Sequence, residues 1–199
     1  MIRAADPLSE NRERQVRGIY AAGVIGILVV VTMTFAALIL VFINRSQVSF
    51  NWMHIILPPI LWIDTLILVA SSFIYEIGHR KLRANDQPGF YRWIRRAALL
   101  GVAFLVGQIF AWWQILEAGQ LVDSNPHSFF FFLFSGLHGL HILAGLAGLA
   151  VLLYRTRETA SGPKWQMTTK ALADAVAIFW HYLDALWVTL FALLLLVKR

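Results

Sequence analysis

The sequence predicts an all-α integral membrane protein, a bundle of five transmembrane helices. Three observations carry that prediction. The 199 residues are 59% hydrophobic and only 14% charged, with a mean hydropathy of +0.66, whereas soluble domains are about a quarter charged. Five apolar stretches recur, each of the ~20 residues that cross a hydrocarbon layer roughly 30 Å thick as a helix. Lys and Arg are concentrated in alternate connections between them.

The spans follow in order. The first covers about 18–43 and carries no charge. The second covers about 53–77, with Asp64 in its middle. The third, fourth and fifth cover about 97–115, 129–154 and 172–197. Helix is the expected conformation, because lipid cannot satisfy an exposed backbone. Outer-membrane strands would alternate with period two, and these segments do not. Residues 1–17 read as a polar tail and 18–199 as one membrane domain. The first apolar run is too long for a cleaved signal peptide. Asp6, Glu10 and Glu13 argue against a transit peptide.

Charge gives the orientation. Arg3, Arg12, Arg14 and Arg17 precede span one. Arg80, Lys81, Arg83, Arg92, Arg95 and Arg96 follow span two. Arg155, Arg157, Lys164 and Lys170 follow span four. The other side has Arg45, Lys198 and Arg199. Fourteen against three puts the N-terminus in the cytoplasm and the C-terminus outside, which for a bacterial inner membrane is the periplasm. A net charge of +6 in a soluble chain would suggest nucleic acid. Here it reports topology, and no nucleic-acid partner is expected. Without cysteine there is no disulfide, thiolate site or thiol nucleophile. The loops leave no room for a phosphate-binding cradle. Gly136, Gly139, Gly145 and Gly148 lie inside span four and read as positions where helices approach closely.

Ionisable residues at membrane depth are costly and face protein or water. At 1.5 Å per residue, Asp64 lies roughly 16 Å deep, and His138, His141, His181 and Asp184 roughly 14 to 18 Å deep. Three helices thus supply one buried polar layer near the midplane, flanked by Trp180 and Trp187. His138 and His141 share a face, as do His181 and Asp184. Three roles fit: hydrogen bonds that fix helix register, a proton relay, or a metal or haem site. The last is the poorest match, since two of the three histidines sit on one helix. Tyr75, Glu76 and His79 read as the easily solvated end of span two. Pro58 and Pro59 read as its first turn. Trp52, Trp93, Trp112, Trp113 and Trp165 read as interfacial aromatics. Phe129–Phe132 reads as packing surface. Ser124-Asn-Pro-His127 reads as a turn that starts a helix.

The string Ser135-Gly-Leu-His-Gly-Leu-His-Ile-Leu-Ala-Gly145, followed by Phe179-Trp-His-Tyr-Leu-Asp-Ala-Leu-Trp187, resembles subunit III of the haem–copper oxidases. Leu57-Pro-Pro-Ile-Leu-Trp-Ile-Asp-Thr65 with Ser71-Ser72 resembles that family's second conserved segment, where Asp64 stands at a usual Asn. Gly107-Gln108, Trp112-Trp113, Gly119 and Ser124-Asn-Pro126 continue the match. The resemblance covers roughly 18–197, in the short five-helix bacterial form. It implies an accessory subunit with no catalytic residue, metal or cofactor of its own. Subunit I would hold the haems and copper, with subunits II and IV beside it and cytochrome c as donor. The resemblance also implies bound phospholipid and support for proton uptake and complex stability. One position departs from the pattern. Where the family's first conserved helix often carries a carboxylate, this chain has Val31, and Asp64 is the candidate replacement. The alternatives are a nitric oxide reductase accessory subunit, a haem-binding membrane redox protein and a small transporter.

Overall fold

The computed structural model describes residues 7–48, 57–120, 125–157 and 163–197. Trp52, Ser124 and the side chains of Lys164 and Trp165 lie outside the description, as do Arg3, Lys198 and Arg199 of the charge count. The described residues form five helices: α1 (Pro7–Val48), α2 (Ile60–Arg83), α3 (Gln87–Glu117), α4 (Pro126–Arg157) and α5 (Pro163–Leu196). Even the shortest, with 24 residues, is about 36 Å long, and all five are long and apolar enough to cross a bilayer.

The helices outrun the apolar stretches because their ends have their own chemistry. α1 begins within the segment read as a tail. Its polar first turns favour helix, and Glu13 pairs with Arg17 one turn on at 2.9 Å. Pro58 and Pro59 precede α2, and their carbonyls accept the amides of Leu61 and Trp62. α2 ends where Asn85 takes φ +60°, a conformation Asn tolerates. Asp86 then caps α3, accepting the Gly89 amide at 2.8 Å. That hydrogen bond, with Lys81 nearby, holds the Asp86 carboxyl below the usual carboxylate range. Gly119, at φ +75°, closes α3. Asn125 caps α4 by accepting the Ser128 amide at 3.1 Å.

α2, α3, α4 and α5 form a ring in which each packs on the next and α5 returns to α2. α1 lies outside the ring, against α5 and α4. The start of α1, the α2–α3 turn, the end of α4 and the start of α5 carry most of the arginines and lysines, and we call this the basic end.

Tryptophans pin the ring. The Trp180 Nε1–H donates to Ser71 Oγ at 3.1 Å, Trp187 to Thr65 Oγ1 at 3.1 Å, and Trp112 to Ser135 Oγ at 2.9 Å. Trp112 is therefore an interhelical strut, not an interfacial aromatic, because its indole N–H finds a hydroxyl on α4. Trp113 and Trp62 keep exposed outward faces. Gly101 and Gly145 make room for the Trp180 ring, and Gly148 brings α4 against Val176. Gly136 and Gly139 meet Trp112 and Leu105 at ordinary contact distance. Of the phenylalanine run, Phe130 and Phe131 are buried and Phe129 faces outward.

Candidate functional site

α2 and α5 run antiparallel, and polar side chains from both meet along their seam. At the basic end, Tyr75 OH donates to the Ala173 carbonyl at 2.8 Å, and His79 Nε2 hydrogen-bonds Asp174 Oδ1 at 2.8 Å. The other ring nitrogen of His79 lies 3.7 Å from Glu76 Oε2. That carboxylate oxygen lies 4.0 Å from His181 Nε2. His181 Nδ1 hydrogen-bonds the Ser72 hydroxyl. Ser72 stands beside the Asp184 carboxylate, though neither carboxylate oxygen reaches hydrogen-bond geometry with a described residue.

The result is a row of alternating carboxylate and imidazole: Asp174, His79, Glu76, His181, then Ser72 and Asp184. It rises about 10 Å along α2 between His79 and Ser72. Cations hold its outer end. Arg17 of α1 and Arg83 of α2 approach Asp174 at 3.9 and 3.7 Å, and Arg80 donates to Glu76 at 2.9 Å. A groove of about 510 Å³ opens over the inner half, where Ser72, Glu76, His181 and Asp184 meet apolar Phe73 and Val188. Imidazoles between carboxylates can accept a proton on one nitrogen and release one from the other. Gaps of 3.7 and 4.0 Å are short enough for a small side-chain rotation or one bridging water to close.

The five residues singled out in the sequence fall at similar depth but in four surroundings. Asp64 is buried between α2 and α3 and accepts Gln108 Nε2 at 3.0 Å. His138 is fully buried, wedged against Phe104 and Trp187 at ring-centroid distances of 5.8 and 5.0 Å. Neither of its nitrogens has a hydrogen-bond partner among the described residues. His141 is half-buried, bonds the Leu137 carbonyl of its own helix at 2.6 Å, and meets Phe35 of α1 edge-on. His181 and Asp184 share the α2–α5 groove, with the His181 side chain 41% exposed and Asp184 buried. The structure thus brings together His181 with Asp184, and His138 with Trp187. It leaves Asp64 and His141 apart.

Two expectations are corrected. Tyr75 and His79 are buried, not solvated, because they turn toward Ala173 and Asp174 of α5. Asp64 does not replace a carboxylate at Val31. It points to α3, and α1 does not pack on α2 among the described residues. Sequence reasoning also passed over Asp174, and named Gln108 and Thr65 only within the motifs of the resemblance, without a role. A signal was present: Thr65, Ser72, Glu76 and His79 recur three to seven residues apart on an otherwise apolar helix. Among the described residues no group of three metal-ligating side chains converges.

Comparison with known proteins gives a consistent result. The chain matches the family model of cytochrome c oxidase subunit III over residues 10–197. It is 29% identical to cytochrome c oxidase subunit 3 of Synechocystis sp. over 182 residues, 88% of this chain and 74% of that protein. It is 29% identical to the probable cytochrome c oxidase subunit 3 of Nocardia farcinica, over 83% of this chain and 82% of the relative. With the Mycobacterium tuberculosis protein of the same description it shares 30% identity, again over 83% and 82%. The chain belongs to the cytochrome c oxidase subunit III family.

Proposed function

We propose that this chain is a non-catalytic accessory subunit of a bacterial proton-pumping haem–copper oxidase that reduces oxygen to water. It lies in the cytoplasmic membrane with its basic end inside, packs on catalytic subunit I, and supports proton uptake and the stability of the complex. The haems and copper belong to the partner subunits, and cytochrome c delivers electrons through them. Phospholipid fills the outer faces of the bundle. Asp64 with Gln108, and His138 with Trp187, fix helix register in the midplane. His141 ties α4 to Phe35 of α1.

The observation that carries the proton-related part is the row from Asp174 through His79, Glu76 and His181 to Ser72 and Asp184. It begins at the arginine-rich end, where protons enter from the cytoplasm in this orientation. Each step lies within 4.0 Å of the next as far as His181. Partly exposed ion pairs contribute little net stability, so a purely structural role gives a weaker account of four titratable groups in line.

The test is proton uptake by the intact complex in vesicles, with Glu76→Gln, His79→Gln and Asp174→Asn introduced singly. The expected result is uptake slowed several-fold at unchanged subunit stoichiometry and haem content, with Glu76→Asp restoring most of it. Unchanged uptake in all three variants, with the complex intact, refutes the relay.

A further inference from the structure

The outward side of the α2–α5 seam has the features of a docking site. Among the described residues of the five apolar spans, four charged or imidazole side chains keep partial exposure: Glu76, His141, Asp174 and His181. His141 is bonded to its own helix and turned to α1. The other three lie on one side of the bundle, along α2 and α5. α1 does not cover them. It packs on α5 and α4, not on α2, and meets the row only where Arg17 reaches Asp174. The outward faces of α3 and α4 present Leu99, Val106, Leu140 and Leu143 instead.

Depth makes that exposure costly. From Arg83 to Ser72 on α2, and from Lys170 to His181 on α5, is about three turns of helix, roughly 16 Å in from the cationic rim. Ionisable groups at such depth face protein or an enclosed aqueous space. Yet the His181 side chain is 41% exposed and that of Glu76 35%. The groove between the two helices is shaped to take a third. It is lined by the small side chains of Ser72 and Ala185, and beside them Phe73 and Val188 keep 69% and 44% of their surface uncovered. Small residues in a membrane groove let another backbone approach closely.

The chemistry of the seam selects the occupant. An acyl chain would leave the Glu76 carboxylate and His181 Nε2 facing hydrocarbon. A second copy on a two-fold axis would set this face against itself and bring carboxylate to carboxylate. The seam has acceptors to spare. Glu76 Oε2 lies beyond hydrogen-bond range of both histidines, and neither Asp184 oxygen is hydrogen-bonded among the described residues. The complement is a donor carried on an apolar helix. We propose that the α2–α5 groove seats a transmembrane helix of another chain, which presents a hydroxyl, amide or cationic side chain toward Glu76 and Asp184. With that helix in place, the inner end of the carboxylate–imidazole row opens onto protein and not onto lipid. That the other chain is the catalytic subunit rests on the accessory-subunit reading, whereas the choice of face does not.

The test is photo-cross-linking of the intact complex in native membranes. Benzoylphenylalanine replaces Phe73 or Val188 in the groove, and Val106 or Leu143 on the outward controls. Adducts from the Phe73 and Val188 positions are expected on one helix of one other chain, several-fold above the controls. Ala185→Trp should block the groove and cut recovery of that chain about tenfold. Val106→Trp should leave it unchanged, and protease resistance in the membrane shows both variants folded. Adducts to lipid alone, or between two copies of this chain, overturn the proposal. So does cross-linking to the catalytic subunit from Val106 or Leu143 alone, an outcome that leaves the accessory-subunit reading intact. Undiminished recovery with folded Ala185→Trp overturns it as well. Adducts from the groove to a chain that is not an oxidase subunit support the docking face and refute the accessory-subunit reading. The chain has no cysteine of its own, so Phe73→Cys adds a further check. Its labelling by a membrane-impermeant maleimide in the intact complex would make the groove an aqueous inlet and overturn the proposal.

Discussion

Gly145→Ala tests the packing that positions both sites, because four helices converge on Trp180. A Cβ at Gly145 would lie 2.9 Å from Cε3 and Cζ3 of that indole. The ring cannot retreat. On its other side a Cβ at Gly101 would already lie 2.7 Å from Cη2, and Nε1 is tied to Ser71 of α2. The added methyl must therefore push α4 and α5 apart. Overpacking of this kind costs about 1–3 kcal/mol. Gly136→Ala is the matched control. Its new Cβ would lie 3.5 Å from the nearest atom of Trp112, which is ordinary contact. It gains helix propensity of about 0.5–1 kcal/mol and should be neutral or stabilising. The assay is unfolding of the purified chain in mixed micelles, followed by circular dichroism against denaturing detergent. A smaller ring at 180 should relieve the clash, so Gly145→Ala combined with Trp180→Phe should cost less than the two single changes together. Equal stability of Gly145→Ala and Gly136→Ala, or strict additivity of the double variant, would refute the reasoning.

Two further outcomes follow from the described contacts. Asp64→Asn should fold at least as well as wild type, because the amide still accepts from Gln108 and brings a donor for the unpaired Gln108 Oε1. Asp64→Leu should lose about 1–3 kcal/mol in the same unfolding assay, since it strands a buried amide. Asp86 has a depressed carboxyl, so its contribution to the α2–α3 turn is complete above the ordinary carboxylate range. It is lost as pH falls through the lowered value. Hydrogen exchange at the Gly89 amide should accelerate there relative to a reference amide, and Asp86→Asn, which can still cap, should abolish that pH step.

The fold was largely legible because the bilayer imposes a simple rule on sequence. Apolar runs of sufficient length gave all five helices, and their order and number match. Helix ends were less legible, since polar residues such as those at 7–17 and 87–96 carry no hydropathy signal although caps and ion pairs continue the helix through them. The candidate site was legible in residue type but not in grouping. His181 and Asp184, one turn apart on one helix, line the same α2–α5 groove, as their spacing suggests. The partner of Asp64 was not legible, because depth alone does not say which neighbour a side chain faces, and Gln108 on α3 claims it. His79 and Asp174 were invisible as a pair. They lie 95 residues apart, and only the antiparallel register of α2 and α5 brings them to 2.8 Å. Burial of Tyr75 was hidden for the same reason.

The central claim is that this chain works as one subunit of a haem–copper oxidase. The most direct measurement is gentle extraction of the tagged chain from native membranes, with mass spectrometry and haem spectra of what accompanies it. The account predicts the catalytic subunit I of an oxygen-reducing oxidase in near-equal amount, with its haems. Reproducible recovery of the chain alone under mild conditions, or with a nitric oxide reductase instead, would contradict it.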